Sequence, residues 1–338
     1  MRIVLAASIY PPDIGGPAPY AAALKDALEE LGHDVEVSVF STYRHIPSGV
    51  RHLLYAFDLI RRARGKDAII AFDVLTTGFP AAVAGVFTRV PVIARVGGDF
   101  IWESYIERTN DLLALPNFYT HRERWSGKER LFFSIVRWVL SRVHVVFSSP
   151  WVRDIWMRSY AIDAKKTSII ENAIPPKAET AEPIKKNFLM YGRQIVLKNA
   201  PVFRIAFERA RQKYPDIELE EGMVAKEELE KRMRACYAVV VPSISEVSPN
   251  TIIDAIRFHK PFLLTKHSGY AERFEPYGVI VDPLDVEDMR RGIEELADET
   301  NYRGLCEKMA GFKDVRTYDD IAREFLALLK RSHSSPSR

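Results

Sequence analysis

The chain has 338 residues, 47% apolar and 28% charged, with a formal net charge of +3. At about 150 residues per domain this length fits two domains with sizeable cores, and the composition excludes disordered, collagen-like and coiled-coil classes. No apolar run reaches the roughly 18 residues of a bilayer span, and the nearest, at 79–87, is closed by Arg89.

The opening MRIVLAASIYPPD has one basic residue and no small-residue cleavage site, so it reads as a first buried strand rather than a secretory signal. Strands are predicted at 2–7, 34–40, 68–72, 92–95, 143–147 and 167–170. Helical patterns fall between them at 18–31, 50–64, 77–87, 129–141 and 150–160. Continuous apolar strands separated by helices imply a parallel sheet covered on both faces. Residues 173–187, AIPPKAETAEPIKKN, lack apolar periodicity and read as a linker. The alternation resumes with strands at 188–191, 218–221, 238–241, 261–265 and 279–281, and helices at 201–213, 226–235, 251–258, 286–297 and 302–312. A last helix, 319–329, follows the second sheet, and the tail from His333 is polar. The predicted fold class is α/β, with two Rossmann-like parallel-sheet domains facing each other across a cleft. The predicted division is 1–173, a linker at 174–186, 187–315, and a C-terminal helix at 316–332 packing back on the first domain. Ligands of such sheets bind at the C-terminal edges of the strands.

Charge is unevenly spread. Residues 44–66 hold Arg44, Arg51, Arg61, Arg62, Arg64 and Lys66 against only Asp58, and residues 119–145 mix six basic residues with Trp125, Phe132, Phe133 and Trp138. Two readings stay open for these windows: a peripheral contact with anionic lipid, or solvated helix faces with apolar stripes in the core. Nucleic acid is not indicated, because no groove-reading or stacking motif accompanies the charge. Cys236 and Cys306 lie in helical patterns without metal-ligand spacing, which fits a reducing cytoplasm.

Four segments carry candidate chemistry. In YPPDIGGPAPY, residues 10–20, Gly15 and Gly16 let backbone approach a ligand ahead of a helix start; neither the dinucleotide motif nor the Walker lysine is present. In GRQIVLKN, residues 192–199, Arg193 and Lys198 leave a strand-to-helix loop just before a helix N-terminus, a combination suited to a diphosphate. In VPSISEVSPNTIIDAIRFHK, residues 241–260, Glu246 precedes a helix start at Asn250 and Thr251, and Asp254 is expected in the first turn. There carboxylates would accept from sugar hydroxyls while the N–H groups of Asn250 and Thr251 take phosphate. In RVGGDFIWE, residues 95–103, two glycines are expected to expose Asp99, with Trp102 and Glu103 behind it, an acid and an aromatic suited to carbohydrate. The alternative makes Asp99 a turn-former and Trp102 a core residue. The eight histidines are scattered, with no metal spacing or nucleophile signature.

In this order the segments resemble retaining glycosyltransferases of the GT-B fold, family 4. The opening through DALEELGHDVEV is similar to that family's glycine loop, first helix and second strand. GRQIVLKN resembles its arginine–lysine donor clamp, and the segment holding Glu246 and Asp254, with seven residues between them, resembles its signature acid pair. HSGYAERFEPYGVIVDPLDVEDM continues the pattern, so the resemblance covers almost the whole chain.

The resemblance implies a hexosyl transfer with retention from a nucleoside diphosphate sugar to a glycan or lipid-linked acceptor, with no metal or cofactor. It implies a cytoplasmic enzyme of cell-envelope polysaccharide synthesis, peripheral at the inner membrane face. Arg193 and Lys198 would hold the diphosphate, Glu246 would face the donor sugar and Asp254 the ribose. Ser248, Asn250 and Thr251 would line the donor in the C-terminal half, with Gly15 and Gly16 approaching from the other domain. The acceptor would lie near Asp99, Trp102 and Glu103. Asp254 stands where glutamate is usual, and Asp99 where many members have histidine. These departures motivate the alternative of a non-catalytic nucleotide-sugar-binding partner in a glycan assembly complex.

Overall fold

The computed structural model describes residues 1–13 and 15–334. It divides into two compact units, one made of 1–101, 125–173 and the chain from 316 onward, the other of 102–124 and 174–315.

The first unit is built on β1 (Arg2–Ala7), β2 (Asp34–Val39), β3 (Ala68–Ala71), β4 (Val92–Val96), β5 (His144–Phe147) and β6 (Thr167–Ile169). These form one six-stranded sheet in the order β2-β1-β3-β4-β5-β6, with every pairing parallel. β3 and β4 are buried at every position, the expected state of strands covered on both faces. The covering helices are α1 (Pro17–Glu30), α2 (Ser48–Ala63), α3 (Gly78–Thr88), α6 (Gly127–Arg142) and α7 (Pro150–Tyr160), with α4 (Phe100–Thr109) and α5 (Leu115–Phe118) lying between α3 and α6 in the chain. Local chemistry fixes their starts. Ser126 and Glu129 form a reciprocal capping box at α6, and Ser149 caps α7 ahead of Pro150 at its first position.

The second unit holds β7 (Lys186–Tyr191), β8 (Ile217–Gly222), β9 (Ala238–Val241), β10 (Phe262–Thr265) and β11 (Val279–Val281), again all parallel, in the order β11-β10-β9-β7-β8. Its helices are α8 (Ala200–Arg211), α9 (Lys226–Ala235), α10 (Asn250–Arg257), α11 (Ala271–Phe274), α12 (Val286–Ala297) and α13 (Glu299–Ala310). Asp285 and Asp298 cap α12 and α13 through side-chain bonds to backbone N–H groups.

The final helix, α14 (Tyr318–Ser334), belongs to the first unit, where Ile321, Ala322, Phe325 and Leu329 share a core with Tyr20, Leu24 and Leu28 of α1. It continues through His333 and Ser334; the rest of the polar tail lies outside the described residues.

Two features differ from the sequence-based partition. Residues 102–124, expected in the first domain, cluster with the second unit. The segment expected as a free linker is bound along that same unit. Ile174 is buried in its core, Ala178 N–H donates to the Arg257 carbonyl at 3.0 Å, and Ala181 N–H donates to the Arg234 carbonyl at 2.9 Å. Lys177 Nζ reaches the carbonyls of Met309 and Ala310, each at 2.7 Å, and the buried Lys260 donates to the Ala181 carbonyl at 2.7 Å. Low apolar periodicity marked this stretch as irregular, but irregular backbone is held when its polar groups find fixed partners.

Candidate active site in the second unit

In the second sheet the chain runs from β7 outward to β8, then returns to the other side of β7 to lay down β9, β10 and β11. The reversal falls between β7 and β9, and ligands of open α/β sheets bind beyond the strand ends at such a point. The loops leaving β7 and β9 carry the predicted clamp and Glu246, and α10 after the second loop carries Asp254.

After β7, Gly192 N–H donates to the Gly222 carbonyl at 2.9 Å, and a single 3-10 turn spans Val196–Lys198. Asn199 follows in the left-handed region at φ 57°, a conformation asparagine tolerates better than most residues, and it opens α8. Its buried side chain donates to the carbonyls of Pro242 at 3.2 Å and Pro283 at 2.6 Å, tying the loop to the ends of β9 and β11. Ile244 N–H donates to the Leu197 carbonyl at 3.0 Å, joining the two loops directly.

Lys198 and Glu246 meet in this frame. Lys198 Nζ lies 2.8 Å from Glu246 Oε2, and Ser243 Oγ donates to the same oxygen at 2.9 Å. Their side chains are 33% and 21% exposed, so the pair stands at the surface of the loop cluster rather than sealed beneath it. The Glu246 backbone is fixed as well, its N–H donating to the His267 carbonyl at 2.9 Å and its carbonyl accepting from Gly269 N–H at 3.0 Å, which forms a parallel bridge to Ser268 after β10. Burial and neighbouring Lys266 hold the His267 imidazole below its usual pKa, with Asp282 opposing, which favours the neutral ring at neutral pH.

The other donor residues predicted in this unit lie on the same two loops and on α10. The Arg193 side chain is exposed and has no bonded partner among the described residues. Ser248 and Thr251 are half-buried and Asn250 is exposed at the start of α10. Asn250 N–H is already used, donating to the Ser248 carbonyl at 2.9 Å, so it is not available as the expected phosphate donor. Asp254 is the fifth residue of α10 and therefore sits in its second turn rather than the first, because the helix begins at Asn250 directly after Pro249.

The expected exposure of Asp99 and Trp102 is corrected. Asp99 is fully buried immediately ahead of α4, where a carboxylate favours the positive end of the helix, and is not presented to solvent. Trp102 is 2% exposed and its indole N–H donates to the Leu113 carbonyl at 2.8 Å, so the ring is a core element and not an aromatic platform. Glu103 is half-buried on the same helix. Gly15 and Gly16 lie in the first unit, between β1 and α1.

Four supporting residues escaped the sequence reading: Asn199, Ser243, Ser245 and Glu107. Glu107 accepts from the backbone N–H groups of Val196 at 3.4 Å and Leu197 at 3.2 Å, while Ser245 Oγ accepts from Leu115 N–H at 3.0 Å. These bonds fasten residues 102–124 to both site loops. Only Asn199 carried a sequence signal, as a polar residue between a loop and a helix with proline at its second position.

Comparison with known families and solved structures places the chain in a family and a fold. The profile of the family described as Glycosyltransferase Family 4 matches residues 14–178, and that of Glycosyl transferases group 1 matches residues 222–310, which contains Glu246 and Asp254. The chain belongs to the family 4, group 1 glycosyltransferases. Solved structures share the fold of this glycosyltransferase along its whole length. Sucrose-phosphate synthase from Thermosynechococcus elongatus is 16% identical with a TM-score of 0.69, covering 99% of this chain and 100% of that one. HepE of Anabaena in complex with UDP is 14% identical with a TM-score of 0.66, covering 98% and 100%. The catalytic domain of starch synthase IV from Arabidopsis thaliana is 13% identical with a TM-score of 0.68, covering 99% of each chain. No curated protein sequence matches the glycosyltransferase.

Proposed function

We propose that the glycosyltransferase moves a hexosyl group from a nucleoside diphosphate sugar to a carbohydrate or lipid-linked acceptor on the cytoplasmic side, with retention and without a metal. The observation that carries this reading is the Lys198–Glu246 pair, 2.8 Å apart beyond the strand ends at the switch point of the second sheet. HepE, which shares the fold, has been solved with UDP, with UDP and glucose, and with UDP-glucose, which supports a nucleoside diphosphate sugar as donor.

The donor diphosphate would enter beside Lys198. An ammonium has three donors, so Nζ can keep its bond to Glu246 while meeting a phosphate oxygen. One such contact at about 4 Å amounts to about 4 kcal/mol at an effective dielectric of 20, before desolvation. Arg193, exposed and with no competing side-chain partner among the described residues, would add a forked second contact. As the bond from the anomeric carbon to the phosphate oxygen breaks, negative charge grows on the leaving diphosphate, and preorganised cations act most strongly on that change. The acceptor oxygen would attack the anomeric carbon from the departing side, its proton passing to the leaving phosphate oxygen, which retains configuration without an enzyme nucleophile. Glu246 would hold Lys198 in place and face the donor sugar, and Asp254 would accept from the ribose hydroxyls.

The test is a thermal-stability screen with UDP, GDP and ADP, followed by turnover of the matching sugar donors. A nucleotide at 100 times its Kd should add about 2.7 kcal/mol of stability. Absence of stabilisation by all three, or donor turnover unchanged in Lys198→Ala, would sink the proposal.

A further inference from the structure

Helix α2 has two apolar stripes. Tyr55, Ala56, Leu59 and Ala63 are buried against the rest of the first unit, as one face of an amphipathic helix requires. A second stripe, Val50, Leu53, Leu54 and Phe57, repeats at i, i+3, i+4 and i+7 and points outward, with Leu53 and Phe57 each 69% exposed. Continued along the helix, this outer stripe turns into Arg61 and Arg64, both exposed. The neighbouring helix α3 ends with Val86 at 51% and Phe87 at 73% exposure, followed by exposed Arg89. Scattered single apolar residues are ordinary on a protein surface, whereas a two-turn apolar stripe on one helix, with a second helix packed beside it that also ends in exposed apolar residues, is not.

The charges on this face are of one sign. Residues 48–64 carry four arginines and one acid, Asp58, and that acid is drawn inward. Its carboxylate accepts from Ser38 Oγ at 2.9 Å and Arg62 Nε at 2.6 Å, with Arg61 at 3.4 Å, and is only 13% exposed. Apolar tips flanked by arginines, with the sole carboxylate withdrawn, complement an apolar layer lying under a sheet of anions. The other basic window does not share this geometry. Trp125 is buried, Phe133 stacks on Tyr160 at 4.5 Å, Trp138 meets Phe79 edge-on at 5.7 Å and Phe132 meets Phe100 edge-on at 5.7 Å, so each of its other aromatics packs against another ring and none is as exposed as Leu53 or Phe57.

We infer that the α2–α3 face of the first unit is a docking surface for a bilayer containing anionic lipid, with Leu53, Phe57 and Phe87 inserting between headgroups and Arg61, Arg64 and Arg89 meeting their charges. Among the described residues no helix is long and apolar enough to cross a membrane, so the contact is peripheral. The inference is independent of the donor chemistry in the second unit.

The experiment is co-sedimentation of the full chain with vesicles of phosphatidylcholine plus phosphatidylglycerol, and of phosphatidylcholine alone, at low and high salt. Binding should require phosphatidylglycerol and weaken with salt. Leu53→Ser with Phe57→Ser should lower the partition coefficient by about 10²-fold, and Arg61→Gln with Arg64→Gln by about tenfold. Each pair alters exposed side chains, so the unfolding temperature should hold, and the arginine pair gives a second reading should the apolar pair fail to fold. Equal binding to both vesicle types, or undiminished binding by the apolar pair, overturns the inference. A concentration-dependent dimer that the apolar pair abolishes, without vesicle binding, assigns the face to a second copy and overturns it as well.

Discussion

The loop from β1 to α1 and the loop from β7 to α8 occupy the same topological place, each leaving the first strand of a parallel sheet where the strand order reverses. Their chemistry differs. The first loop has no cation between Tyr10 and Tyr20 and is shaped by backbone: Gly15 adopts φ 155°, and a Cβ there would stand 2.5 Å from Ile9 Cδ1. The second carries Arg193 and Lys198 and is bolted to its neighbours by Asn199, Ile244, Glu246 and Glu107. The fold supplies a place for a ligand twice, and side chains decide what each place can do.

The strongest way to break this contrast is Lys198→Ala. It should reduce kcat by about 10²–10³ under saturating donor if the cation acts on leaving-group charge, and single-turnover kinetics would check that the loss lies in the chemical step. Glu246→Gln should follow with a loss of about 10-fold to 10²-fold, the range of one charge-assisted hydrogen bond; a larger loss than Lys198→Ala would mean that Glu246 does more than orient the lysine.

Asn199→Ala should lower unfolding stability by about 1–3 kcal/mol in a urea titration, because two buried carbonyls lose their donor. In the first loop, Gly15→Ala should cost about 1–3 kcal/mol through its backbone conformation. Gly16→Ala should stay within about 0.5 kcal/mol, since Gly16 has helical dihedrals and open space around its Cβ position. Equal effects at the two glycines would erase the claim that the first loop is defined by backbone shape.

The smallest effect concerns pH. Burial holds the imidazoles of His144 in the first unit and His267 in the second below their usual pKa. Between those lowered values and the ordinary 6.5, the unfolded chain binds more protons than the native one, so stability is full above that range and declines as pH falls through it. Thermal unfolding followed from pH 7 toward pH 5 should show the decline, and His144→Gln and His267→Gln should each flatten part of it.

Much of the fold is legible in the sequence because its strands are continuous apolar runs and its helices carry ordinary start signals. The runs at 2–7, 238–241 and 279–281 coincide with β1, β9 and β11, and Pro150–Tyr160 and Val286–Ala297 coincide with α7 and α12. Helix α4 was not legible, since the two glycines and aspartate ahead of it look like an exposed turn. Its partners, including Leu113 beneath Trp102 and the N–H groups above Glu107, come from elsewhere in the chain.

The sequence by itself therefore determined the α/β class, the parallel strands and the two loops that carry a cation and an acid, because periodicity and residue type act over a few neighbouring positions. Tertiary structure alone decided that Lys198 meets Glu246 across 48 positions, that Asp99 and Trp102 turn inward, and that Leu53 and Phe57 turn outward. Each of those outcomes depends on which distant surface covers a side chain, and burial is a property of the packed molecule rather than of the local chain.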